Sequence, residues 1–191
     1  MGQTRMGTLR IVLFLGLVFH KALWQLLKRR ARQTGSRTTA GTRPVKVVKA
    51  LVLAFLAVQT LFLDVFPISE QAAILRAVGT VIYFIGLATA VAGRLQLGNN
   101  WADLEEGQIL SGQSLVATGI YRYIRHPIYI GDILLLVGLE LALNSWLVLA
   151  TGIPLVVVIR QSLAEEAALS RAFPAYDAYC KRSRRFIPFL V

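Results

Sequence analysis

Between Tyr121 and Tyr129 the chain crowds three phenols, two guanidiniums and an imidazole into nine residues: Tyr121, Arg122, Tyr123, Arg125, His126 and Tyr129, with Pro127 among them. Such a set can hold a cation over an aromatic face or pair with an anion. Tyrosines and arginines at the headgroup level of a membrane would explain the same composition without chemistry. The order of the residues says more than their types. Proline biases the residue before it away from helical angles and is favoured in a helix's first turn. His126 therefore stands beside a helix that begins at Pro127, where free backbone amides favour a carboxylate or another anionic group.

Four carboxylates add to this set. Glu165 and Glu166 form a pair that, on most helices near a membrane face, is simply solvated. Adjacent helical residues point about 100° apart, so both cannot enter one pocket. The expected arrangement has Glu165 inward and Glu166 at the rim. Asp132 and Glu140 lie inside an apolar stretch, where a carboxylate is costly and is a functional suspect by default. Their spacing of eight puts them on nearly one helix face. They either line a substrate tunnel or pair with Arg94 or Arg160. Asn99, Asn100 and Trp101 read as a structural wall of the loop that precedes Tyr121.

The elements that must position these groups are membrane helices. The chain is 55% hydrophobic and 16% charged, against about 25% charged in a soluble domain. A soluble fold of 191 residues could not cover that much apolar sequence with polar surface. Apolar segments of the length that spans a bilayer, about 20 residues, fall near 8–27, 45–66, 72–97, 127–143 and 146–163. The fifth can run on as a helix to 171. The expected fold is all-α: a polytopic membrane protein of about five transmembrane helices. Residues 1–97 hold the first three, and 98–191 hold a loop, a helical hairpin and a C-terminal tail. Only Asn144 and Ser145 separate the last two segments, which predicts a tight antiparallel hairpin. Gly79, Gly86 and Gly93 recur every seven residues and let another helix approach one face of the third segment.

Net charge is +11, from 21 Lys and Arg against 10 Asp and Glu. The basic residues flank apolar runs, which fits topology control and anionic lipid better than nucleic acid. They gather between 28 and 49, at Arg122 and Arg125, and in the tail from Lys181 to Arg185. Those three stretches are assigned to the cytoplasm, with the N-terminus outside and the C-terminus inside, in the plasma (inner) membrane. His20 and Lys21 interrupt the first span and must lie near headgroups or face protein. One cysteine, Cys180, allows no intrachain disulfide, and two histidines suggest no metal site.

The ordered string Gly119-Ile120-Tyr121-Arg122-Tyr123-Ile124-Arg125-His126-Pro127-Ile128-Tyr129-Ile130-Gly131 resembles the isoprenylcysteine carboxyl methyltransferase and phospholipid methyltransferase family. The resemblance extends to Gln113-Ser114-Leu115-Val116, to Glu165-Glu166-Ala167-Ala168-Leu169, and to Phe173, Tyr176, Tyr179 and Ile187-Pro188. It covers roughly the last half of the chain. It implies a membrane methyltransferase that binds S-adenosylmethionine without a Rossmann fold. Carried over, the cofactor contacts are Gln113, Ser114, Leu115, Val116, Tyr121, Arg125, His126, Pro127, Ile128, Tyr129 and Glu165; the catalytic set is Arg160, Glu165 and Glu166. The family often has histidine where this chain has Gln113. It has a substrate-binding arginine where this chain has Gln161, with Arg160 one residue earlier. An amide cannot replace a guanidinium that grips a carboxylate through two bonds.

The resemblance thus implies methyl transfer from S-adenosylmethionine to a lipophilic acceptor, foremost a prenylcysteine-type carboxylate. A phospholipid N-methyltransferase or an NADPH-dependent membrane reductase on a related scaffold is the alternative. A basic, non-catalytic membrane adapter is the third reading. The implied partners are the bilayer and a lipophilic small-molecule or prenylated substrate, not nucleic acid.

Overall fold

The glycine face of the third segment organises the molecule. The computed structural model describes residues 2–33, 43–100 and 114–187, which are helical without a named strand. Its main helices are α1 (Gly2–Gln33), α2 (Arg43–Phe62), α3 (Ala73–Leu97), α4 (Pro127–Ala142), α5 (Gly152–Ala172) and α6 (Tyr176–Arg182). Along α3, Gly79 faces Leu141 and Ala142, Gly86 faces Gly131 and Leu135, and Gly93 faces Pro127 and Ile128. The numbers on α4 fall as those on α3 rise, so the two helices run antiparallel. Gly131 and Gly138 return the contact against Ala90 and Tyr83. A methyl group at Gly86 or Gly138 would run into the facing backbone. In lipid the tails are as apolar as leucine, so helices associate through such close van der Waals contact.

α1 and α2 close the other side. The Arg10 guanidinium donates to the carbonyls of Gln59 (3.2 Å), Thr60 (3.2 Å) and Leu63 (3.1 Å) and pairs with Asp64 at 2.5 Å. It thereby adds donors at the end of α2, where helix carbonyls begin to run out of intrahelical partners. Tyr83 donates from its hydroxyl to Leu13 O at 2.7 Å, inside a core of Leu13, Tyr83, Leu135, Leu139, Ala142 and Leu143.

At that same end, Asn144 takes a positive φ of 59°. Its amide exchanges bonds with the backbone of Ser69 at 2.7 and 3.1 Å. Ile68 N–H donates to Asn144 O, and Trp146 N–H to Phe66 O. The short link after α4 is thus tied to the connection between α2 and α3.

The last two segments run antiparallel as expected, because α5 carries Glu165 and Glu166 back to His126 at the start of α4, but they do not pack along their length. Trp146–Thr151 is a 3-10 turn, and α5 follows it as far as Ala172. Only Ser162 and Ala168 of α5 are buried. The small-residue face of α4 is already occupied by α3, so α5 stands away along its middle and returns to α4 near its C-terminal end. Among the described residues, three stretches are long and apolar enough to cross a membrane: Met6–Arg30, Ala73–Leu97 and Trp146–Ala172. α4 has 16 residues, about 24 Å at 1.5 Å each, short of a bilayer core of about 30 Å. Length and composition thus mark three of the five expected segments as full spans among the described residues.

Replacing Gly86 with leucine should force α3 from α4 and cost about 3 kcal/mol or more. Thermal unfolding in detergent should show a marked fall in Tm. Gly152→Ala, at a helical position with nothing within 4 Å, should change it little or raise it.

Candidate functional site

Pro127 starts α4 and packs against Gly93 of α3, which fixes where the loop before it ends. His126 caps the helix with φ −124° and ψ 57°, as the His-Pro step predicts. The loop is held from two sides. Tyr121 is buried, donates to Gly93 O at 3.3 Å, and accepts at its own carbonyl from the Tyr179 hydroxyl at 2.7 Å. Gly119 takes φ +59° beside Gln96, whose Oε1 accepts from Ile120 N–H at 2.7 Å. The tail then pairs alongside: Arg184 N–H donates to Tyr123 O, Arg125 N–H to Arg184 O, and His126 N–H to Arg185 O, at 2.8, 2.7 and 3.2 Å. This forms a parallel bridge between Ile124 and Arg184.

The last turns of α5 bring in the glutamates, with Glu165 turned inward toward Tyr129 as expected and Glu166 covered by the tail. Its side chain is 12% exposed against 18% for Glu165. Arg125 Nε donates to it at 2.9 Å, Arg185 Nε and Nη2 at 3.1 and 2.8 Å, and His126 Nε2 lies at 3.1 Å. The Arg185 fork grips both carboxylate oxygens. The 100° divergence on the helix holds, but the tail folds over the second direction and fills it with cations. Glu165 points the other way, with Oε2 at 3.6 Å from His126 Nδ1 and the Tyr129 phenol facing it.

His126, Tyr129, Tyr121 and Glu165 are therefore brought together. The His126 ring stacks on Tyr129 at 5.4 Å with planes 11° apart, and Phe186 covers it at 5.8 Å. Burial above all, and then the Glu165 carboxylate, pushes the Tyr121 phenol well above its ordinary range. It remains a hydrogen-bond donor at any working pH. Burial likewise pushes Tyr179 up to about 12.

The other expected residues fall elsewhere. Arg125 spends its guanidinium on Glu166, Ser183 O at 2.7 Å and Cys180 O at 3.3 Å, a clamp between loop and tail. Pro127 and Ile128 are buried in the contact with Gly93. Ser114 binds Asn100 Oδ1 through its N–H at 2.8 Å, and Leu115 and Val116 are half-buried on the stretch that leads to Tyr121. Arg160 is exposed on α5. Gln113 and Trp101 lie outside the described residues.

Asp132 and Glu140 choose partners other than Arg94 and Arg160. Asp132 Oδ1 lies 3.0 Å from His20 Nε2, and Glu140 accepts from Gln59 Nε2 at 2.7 Å. His20 thus faces protein. Both partners come from the N-terminal half, where the family motifs offered no signal. The tail's convergence on this face was expected, but the individual contacts of Arg185 and Phe186 were not.

Comparison with known proteins agrees with this architecture. The chain is similar to the nickel-cobalt-cadmium resistance protein NccN of Alcaligenes xylosoxydans xylosoxydans, with 35% identity over 114 residues, 56% of this chain and 48% of that one. It is similar to the cobalt-zinc-cadmium resistance protein CzcN of Cupriavidus metallidurans, with 33% identity over 114 residues, 56% of this chain and 47% of that one. The chain thus spans about half the length of these relatives. In fold it is similar to the eukaryotic intramembrane Ras methyltransferase, isoprenylcysteine carboxyl methyltransferase, with a TM-score of 0.58 and 23% identity over 80% of this chain and 55% of that one. The phospholipid methyltransferase family model matches residues 74–175, which takes in α3, α4, the His-Pro loop and the glutamate pair. This chain belongs to the phospholipid methyltransferase family.

Proposed function

We propose that this chain is an S-adenosylmethionine-dependent methyltransferase that modifies a lipophilic acceptor at the membrane. The carrying observation is the convergence of Glu165, Tyr121, Tyr129 and His126 in one place, backed by the neutralised Glu166. The helices cross the bilayer five times, with the N-terminus outside and the site on the cytoplasmic side, where the basic loops and tail collect.

The residues present fit such a donor. S-adenosylmethionine supplies a methyl group on a sulfonium sulfur. Tyr121 and Tyr129 offer aromatic faces, each worth about 0.5–2 kcal/mol to a nearby cation. Glu165 offers a carboxylate for an ammonium or a ribose hydroxyl, and Ser114, Leu115 and Val116 flank the approach. Glu166 serves differently, as an anchor that draws Arg125, His126 and Arg185 into position.

The acceptor reaches the site from lipid, past the outward-standing α5. The resemblance implies a prenylcysteine-type carboxylate, which is already a nucleophile and needs only alignment and desolvation. A lipid amine is the second reading. It is favoured because residue 161 is glutamine and Arg160 is exposed on α5, so the family's substrate-binding arginine has no counterpart at its position. Among the described residues no group of three or more His, Cys, Asp or Glu could hold a metal ion.

Calorimetric titration of the detergent-solubilised chain with S-adenosylmethionine should show saturable binding; none would sink the proposal. Glu165→Gln and His126→Ala should each weaken it about tenfold or more, the scale set by one charge-assisted contact of about 1.5–3 kcal/mol. Glu166→Gln should act first on stability. It leaves Arg125 and Arg185 without their counter-charge, a loss of about 3 kcal/mol, visible as a lowered Tm without donor.

A further inference from the structure

α4 carries two carboxylates eight residues apart, and their surroundings differ. Glu140 is 4% exposed and bonded to Gln59, closed among helices. The Asp132 side chain remains 37% exposed, with Oδ1 paired to His20 Nε2 at 3.0 Å. The His20 ring stacks on Trp24 of the same helix, centroids 4.0 Å apart and planes 28° apart. Asp132 sits one turn beyond Tyr129 on the same face of α4 and within its electrostatic reach. Tyr129 in turn faces Glu165. A line of polar groups therefore leaves the proposed donor pocket and enters the apolar layer, ending on a half-open carboxylate. An open charge at that depth is costly, and a purely structural pair would be closed as Glu140 is.

We infer that the His20–Asp132 pair is the acceptor-side element of the site, in which Asp132 receives the cationic head of a lipophilic amine and His20 takes its proton. This rests on the methyl-transfer reading above and goes beyond it, because it assigns the proton's destination to α1, outside the family-matched residues. An alkylamine near neutral pH is an ammonium, as the ordinary lysine value of about 10.4 indicates. It has no lone pair and cannot attack. Asp132 attracts that ammonium and holds the Nε2 edge of His20, which leaves Nδ1 as a base. The proton passes from the acceptor nitrogen to His20 Nδ1. The freed lone pair then makes the new bond to the methyl carbon as the carbon–sulfur bond gives its electron pair to sulfur. The imidazolium, held by Asp132 and covered by Trp24, later returns the proton to water. A carboxylate acceptor would need no base and would be repelled by Asp132.

The stacked Trp24 provides a readout without the methyl donor. The whole chain in detergent, titrated with dodecylamine, should show a change in tryptophan fluorescence that Trp24→Phe abolishes and dodecanoate does not produce. Asp132→Asn should weaken that titration about tenfold or more, as expected for loss of a close charge pair, and should weaken S-adenosylmethionine binding less than Glu165→Gln does. In turnover of dodecylamine, Asp132→Asn should raise KM. His20→Gln should instead lower kcat by about 100-fold, the low end of general-base contributions, and Asp132→Glu should recover part of the loss. Equal binding of dodecanoate and dodecylamine, or an Asp132→Asn chain that methylates dodecylamine normally, overturns this inference alone. A wild-type chain that binds no S-adenosylmethionine overturns the proposed function as well.

Discussion

Everything at the site depends on the backbone-to-backbone contact of α3 and α4. Lipid offers no hydrophobic force between two apolar helices, so their pairing rests on how closely their atoms approach. Five glycines on two facing stripes permit that approach. The contact sets the level of Pro127 against Gly93, and Gly93 is also the residue whose carbonyl receives the Tyr121 hydroxyl. One glycine thus positions both ends of the loop that carries the His-Pro step. The α5 glutamates then only need a helix long enough to return to that level, which α5 provides.

The two glutamates show how adjacent residues come to differ. Helical geometry sends them in diverging directions. Glu166 meets three cationic or proton-bearing groups and becomes a fixed anion. Glu165 meets two phenols and one edge of a histidine, so its carboxylate is not consumed by the protein. Identical side chains thus become anchor and open acceptor, because the tail folds over one and not over the other.

Much of this was legible in the sequence. Apolar length marked the helices, and the seven-residue glycine period marked the face that α4 covers. The His-Pro step marked the start of α4. What escaped was long-range and weakly encoded. Nothing local says that Arg184 and Arg185 lie beside residues 123–126, because a two-residue bridge leaves no periodic trace. The partners of Asp132 and Glu140 were unreadable for a related reason: any of several helices could have faced α4. The expected hairpin is open rather than tight because a two-residue link sets proximity at one end only, whereas the small residues that permit lengthwise contact had already been matched by α3.

The bridge between the tail and the loop bears on how the molecule is made. Residues 183–186 follow every described helix, yet they supply one wall of the His126 environment through Arg185 and Phe186. Insertion of the helices during synthesis therefore leaves the site unfinished. That wall is completed only once the tail has left the ribosome and folded back onto a loop already seated at the bilayer.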